Sequence, residues 1–186
     1  MLGMRMATRE DAEALARVHI ASWRSAYAEL LPRELLASLN VLKRAETWRE
    51  ILSDASGAAY LACEAQEVLG FVHVCPSRDE QESPGTIGEI TSIYVAPPER
   101  GKGIGTKLLD CGLRRLAESG CREVTAWVLE GNQRACRFYE RKKFMRDGKT
   151  KVHPSSGLTE VRYRCDLTTV GSAKSALQPT LANGRG

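Results

Sequence analysis

The chain has 186 residues, 42% hydrophobic and 27% charged, which suffices for one sizeable core at a length where a single domain is expected. The formal net charge of +4 is a mild excess with no long basic block, so nucleic acid is not indicated as a partner. No apolar run reaches the ~18 residues of a membrane span, and the start MLGMRMATRED lacks the basic-then-apolar order of a secretory signal, so a soluble cytoplasmic protein without a membrane partner is expected.

Short β-type runs alternate with helical patterns along the whole chain, the signature of a mixed α/β sheet with helices on its faces. After a short strand at residues 4–7, Thr8 and Asp11 form a capping box, and Ala12, Leu15, Ala16, His19, Ile20, Trp23 and Tyr27 follow at helical spacing. Pro32 opens a second helical segment with Leu35, Leu36, Leu39, Trp48, Ile51 and Leu52 as its apolar positions. Residues 58–64 and 68–75 read as an antiparallel hairpin, and 77–85 as a polar loop. The β-branched stretch 87–95 stops at Pro97-Pro98, because proline supplies no donor to a ladder.

From Gly103, the residues Ile104, Leu108, Leu109, Leu113 and Leu116 make a broad apolar helical face that ends at Ser119-Gly120. Residues 124–129 read as a strand, Asn132 as the N-cap of a helix through Ala135, Phe138 and Tyr139, and 144–145 and 161–165 as the last strands around the loop at 153–157. Residues 1–167 are read as the domain, and 168–186, small, polar and aperiodic, as a disordered tail. The six cysteines contain no CxxC pair and no histidine at ligand spacing, so no metal site is expected and the thiols are read as reduced.

The stretch Ile93-Tyr94-Val95-Ala96-Pro97-Pro98-Glu99-Arg100-Gly101-Lys102-Gly103-Ile104-Gly105-Thr106 sets a glycine-rich turn between a strand and a helix. The first N–H groups of a helix have no intrahelical partner, glycine lets a ligand approach the backbone, and the helix dipole adds about half a positive charge, so a phosphate or pyrophosphate is the expected ligand. Arg100, Lys102 and Lys107 add mobile positive charge. Thr106 stands where both a Walker loop starting at Gly101 and a dinucleotide fingerprint starting there need glycine, which excludes both. What remains is Arg-x-x-Gly-x-Gly at Arg100, Gly103 and Gly105.

That pattern resembles the pyrophosphate loop of the GNAT superfamily of acyl-CoA-dependent N-acyltransferases, Gln/Arg-x-x-Gly-x-Gly/Ala. The segment from Asn132 to Phe144 resembles the family's second signature, Asn-x-x-Ala-x-x-Phe-Tyr-Glu, at Asn132, Ala135, Phe138, Tyr139 and Glu140. The resemblance implies a mostly antiparallel sheet of about six to seven strands with flanking helices and a splay between two central parallel strands. It also implies acetyl-CoA as co-substrate, a small-molecule or peptide amine as acceptor, and homodimers as a common state. By the same resemblance, the backbone of Ile93, Tyr94 and Val95 pairs with the pantetheine arm, Arg100, Gly101, Lys102, Gly103, Ile104, Gly105 and Thr106 hold the pyrophosphate, Asn132 and Ala135 line the arm, and Tyr139 protonates the leaving sulfur. Asn132 and Tyr139 are seven residues apart, two turns less about 20°, so both can face one extended cofactor.

Glu89, four residues before Ile93 and so on its face by period-two counting, is a candidate general base. Some family members place a base glutamate five residues before the motif asparagine, where this chain has Trp127. Trp23, Tyr27 and His153 are candidate acceptor contacts, and His19 is read as a packed histidine. Asp79, Glu80 and Glu82 form an acidic loop able to attract a cationic amine. Two other functions fit less of this pattern: a non-catalytic acyl-CoA-binding module, against which Tyr139 argues, and a nucleotide-phosphate binder.

Overall fold

The computed structural model describes residues 1–79, 82, 85–154 and 156–168. The expected tail therefore lies, from residue 169 on, outside the described residues, as does Glu80 of the acidic loop. β1 (Gly3–Met6) leads through a 3-10 turn at Arg9–Asp11, where the Thr8 N–H donates to the Asp11 carboxylate at 2.8 Å, into α1 (Ala12–Ala26). The stripe Ala12, Leu15, Ala16 and Ile20 is buried, as its spacing predicts.

The second helical segment is two helices rather than one, α2 (Arg33–Ser38) and α3 (Val41–Ser53). Leu39 and Asn40 between them are extended because the Asn40 side chain accepts from the Lys43 N–H at 3.1 Å, which caps a new helix instead of continuing the old one. β2 (Ala58–Glu64) and β3 (Glu67–Pro76) form the expected hairpin, turning through Ala65 and Gln66, both at positive φ. β4 (Ile87–Val95), α4 (Ile104–Glu118), β5 (Glu123–Leu129) and α5 (Gln133–Arg141) follow.

The penultimate strand is far longer than the two residues expected. β6 (Met145–Val152) pairs with β7 (Thr159–Asp166) except around Gly148, which sits at φ +86°. Its sequence MRDGKTKV carries almost no apolar signal because it is an exposed edge strand, the kind that charge keeps from pairing with other chains.

The seven strands run in the order β1-β2-β3-β4-β5-β7-β6, antiparallel throughout except for the β4–β5 pair. α4 covers one face: Leu108, Leu109, Leu113 and Leu116 pack with Val72 and Val74 of β3. Each such leucine contributes about 1.5–3 kcal/mol on burial, so the helix that starts at the glycine-rich turn is anchored along its length. α1 and α3 cover the other face, joining Leu15, Ala16 and Trp48 to Leu61 and Phe71. β4–β5 pairing spans only Ile87 to Ile90 against Glu123 to Ala126. Beyond it the two strands part, and the edge of β4 that faces β5 has no strand partner among the described residues.

Candidate active site

A cavity of about 480 Å³ fills that gap and crosses the sheet. Register assigns its walls to the two faces. Ile93 and Val95 pair with Val72 and Gly70, on the α4 side, whereas Tyr94 pairs with Phe71, on the α1 side. Ile104, Gly105, Asn132, Ala135, Phe138 and Tyr139 complete the α4–α5 wall, and Trp23, Tyr27, Trp127, His153 and Glu160 the opposite one.

The glycine-rich turn is built for an anion. Gly101 and Gly103 lie at φ +83° and +80°, and a Cβ on either would project into open space along the cavity wall, the space a ligand phosphate needs. Among the described residues, the N–H groups of Gly101, Gly103, Ile104 and Gly105 have no hydrogen-bond partner; donation inside the turn begins with Thr106 and Lys107 to the Gly103 carbonyl, at 3.1 and 3.3 Å. These free donors, a helix front end and a glycine cradle fit the diphosphate of coenzyme A.

Arg100 and Lys102 are not the mobile charges expected. The Arg100 guanidinium turns back onto α1, donating to Ser25 Oγ at 2.8 Å, the Ser22 carbonyl at 3.3 Å and the Val95 carbonyl at 3.3 Å. It ties α1 to the end of β4, and burial draws its pKa down. The Lys102 ammonium pairs with Glu99 at 2.9 Å, and Lys102 does not line the cavity. Besides Arg100, positive charge at the cavity comes from Arg134 and Arg141 on α5, which sequence reading missed although their seven-residue spacing is that of Asn132 and Tyr139.

Tyr139 is 4% exposed, in contact with Phe138, Phe144 and Tyr163, yet its hydroxyl has no partner among the described residues. Burial, with a smaller effect from Tyr27, raises its pKa, so it is a neutral phenol across the physiological range. Asn132 lines the cavity, but its amide is engaged: Oδ1 accepts from the Ala135 N–H at 3.1 Å and Nδ2 donates to the Tyr27 hydroxyl at 3.2 Å. Trp23 donates Nε1–H to the Tyr94 hydroxyl at 2.8 Å, and the His19 ring stacks on Tyr94 with centroids 4.6 Å apart. His19 is indeed packed, and burial pulls its pKa down to about 3.

Glu89 does not share a face with Ile93. β4 carries one extra residue, Thr91, between the pairs Val74–Ile90 and His73–Ser92, and such a bulge reverses the period-two count. Glu89 pairs with Cys75, is 3% exposed and does not line the cavity. Its carboxylate accepts from the Arg78 N–H at 3.1 Å and from the guanidinium at 3.1 and 2.5 Å. Burial alone would raise its pKa; the Arg78 hydrogen bonds and charge outweigh that and hold it below the usual carboxylate range. Asp79 and Glu82 of the acidic loop are also spoken for, because Arg162 pairs with Asp79 at 2.5 Å and Glu82 at 2.6 Å. The carboxylate that does line the cavity on its α1 side, Glu160, lies opposite Leu129 in the β5–β7 register, a relation no sequence spacing reveals.

Residues 17–144 match the model of the acetyltransferase (GNAT) family. The chain is 34% identical over 132 residues to the uncharacterized N-acetyltransferase YuaI of Bacillus subtilis, spanning 71% of this chain and 74% of that protein. It is 31% identical over 128 residues to an aminoglycoside N(6')-acetyltransferase type 1 of Stenotrophomonas maltophilia, 66% of this chain and 72% of that one. Among solved structures, the PaiA N-acetyltransferase of Thermoplasma acidophilum in complex with coenzyme A superposes with a TM-score of 0.69 at 20% identity, over 89% of this chain and 99% of that one.

Proposed function

Because the chain belongs to the GNAT family of acetyltransferases, we propose that it moves an acetyl group from acetyl-CoA to a primary amine by direct attack within a ternary complex. One observation carries the reading: the gap where β4 leaves β5 is lined on one side by the unpartnered N–H groups of the glycine turn and by the Tyr139 hydroxyl, and is open to α1 on the other. Acetyl-CoA supplies the thioester; the chain's residues bind it, orient it and manage the protons.

The front end of α4 holds the diphosphate. The free edge of residues 91–95 pairs with the pantetheine amides as an added strand would, and directs an N–H at the thioester oxygen. The amine comes from the α1 side and must lose a proton before attack, which for a lysine-like group costs about 4–5 kcal/mol at pH 7. The new C–N bond forms as the C–S bond breaks, and Tyr139 gives its proton to the departing sulfur. The adduct's second amine proton restores the phenol. Glu89, held by Arg78, takes no part in proton transfer. The aminoglycoside acetyltransferase among the relatives supports an amine acceptor. We assign the transferase unit to residues 1–167 and its work to the cytoplasm.

The test is release of free CoA thiol from acetyl-CoA with a panel of alkyl and aryl amines. Amine-dependent release is expected. Acetyl-CoA raising the melting temperature while no amine is acetylated would instead leave a non-catalytic binding module.

A further inference from the structure

Of the described residues that line the cavity, two carry carboxylates, Glu99 and Glu160. Glu99 belongs to the cofactor turn and is paired with Lys102. Glu160 is on the opposite wall, the second residue of β7, with its side chain 12% exposed. Two strand positions away on the same face of β5 lies Trp127, because Leu129 pairs with Glu160 and Trp127 with Arg162. Trp23 and His153, whose rings are 5.5 Å apart, stand on the same side of the cavity. The cavity thus carries the cations Arg100, Arg134 and Arg141 and, on the α1 side among aromatic rings, the carboxylate of Glu160.

The protein itself indicates what that side accepts. The Lys151 ammonium, on the neighbouring strand, sits over the Trp127 ring at 4.2 Å from the centroid and 3.7 Å from Glu160 Oε2. The second distance is at the loose end of an ion pair, and the Lys151 side chain is 43% exposed, so it can move aside at small cost. A primary alkylammonium on an aromatic face beside a carboxylate is a matched arrangement. The carboxylate reaches the site from β7, across the β5–β7 pair from Leu129.

Resting on the acetyltransferase reading, we infer that Glu160 and Trp127 form the recognition site for the acceptor's ammonium group, that Lys151 is an internal stand-in for it, and that the natural acceptor is a cationic alkyl amine. Glu160 then receives the first proton as the amine is freed for attack, leaving a neutral carboxyl that returns the proton to water.

The test compares steady-state kinetics of the wild type, Glu160→Gln and Lys151→Met, with lysine amide, spermidine and an arylamine that is uncharged at pH 7. Glu160→Gln is expected to raise the KM for the two alkyl amines about tenfold or more, tenfold being about 1.4 kcal/mol. KM for the arylamine and the calorimetric affinity for CoA stay within twofold. Lys151→Met, which removes the competitor, is expected to lower the alkyl-amine KM about two- to threefold. Unchanged alkyl-amine KM in Glu160→Gln, an equal rise for charged and uncharged amines, or a raised KM in Lys151→Met each overturns this inference alone. No thiol release from any amine by the wild type overturns the acetyltransferase reading and this one with it.

Discussion

Replacing Gly103 by alanine, with Gly120→Ala as its control, separates a backbone need from a ligand need. Both glycines lie in the left-handed region, at φ +80° and +89°, and a Cβ on either meets no protein atom within 4 Å. Each substitution therefore costs only the left-handed strain of an L-residue, about 1–2 kcal/mol. For a chain of this size that lowers the melting temperature by about 2–8 °C. The two variants should be nearly equal by thermal unfolding. They should differ sharply towards CoA, because Gly103 lines the cavity at the front of α4, whereas Gly120 follows the far end of the same helix. A methyl group at Gly103 displaces the diphosphate from at least one N–H donor, and a hydrogen bond to a charged group is worth about 1.5–3 kcal/mol. Isothermal titration should show a Kd for CoA raised about ten- to a hundredfold in Gly103→Ala and unchanged in Gly120→Ala. Equal CoA affinity in both variants would refute the anion-binding role of the turn.

Tyr139→Phe is expected to lower kcat about ten- to a hundredfold with CoA affinity within twofold, the pattern of a group acting in the transition state; its hydroxyl has no partner among the described residues, so the melting temperature should hold, and full activity would remove it from the mechanism. Glu89→Gln should leave kcat within about threefold, whereas Arg78→Ala, which strands a buried carboxylate, should cost about 1–3 kcal/mol of stability by urea unfolding; a collapse of kcat in Glu89→Gln would restore it as the base. Acid should weaken the fold through two histidines. Burial, helped by Arg44 and Arg78 respectively, draws His19 down to about 3 and His73 down to about 4, so both are neutral when folded, while the unfolded chain takes up their protons near pH 6.5. Stability then rises with pH between about 4 and 6.5 and falls as pH drops through that window, by about 2 kcal/mol per histidine at pH 5. Urea midpoints equal at pH 7 and pH 5 would contradict this.

What was legible in the chain was local. Asn132 capping α5, the break after Val95 and the glycine stop of α4 each follow from one residue's chemistry, and each is where spacing put it. The two glycine and asparagine motifs therefore located the cavity. Non-local facts were hidden. A single extra residue, Thr91, moved Glu89 to the wrong face, and nothing in the composition of residues 87–95 marks a bulge. β6 escaped notice because an exposed edge strand has no apolar alternation. Glu160 depends on the β5–β7 register, and Arg100 on the approach of α1 to β4, contacts between residues far apart in sequence.

Initial rates over a grid of acetyl-CoA and amine concentrations address the central claim most directly. Direct attack in one cavity shared by both substrates predicts double-reciprocal lines that intersect, with CoA thiol released only when the amine is present. Parallel lines, with a burst of thiol before any amine is added, would mean that the acetyl group first passes to the protein and would contradict the account.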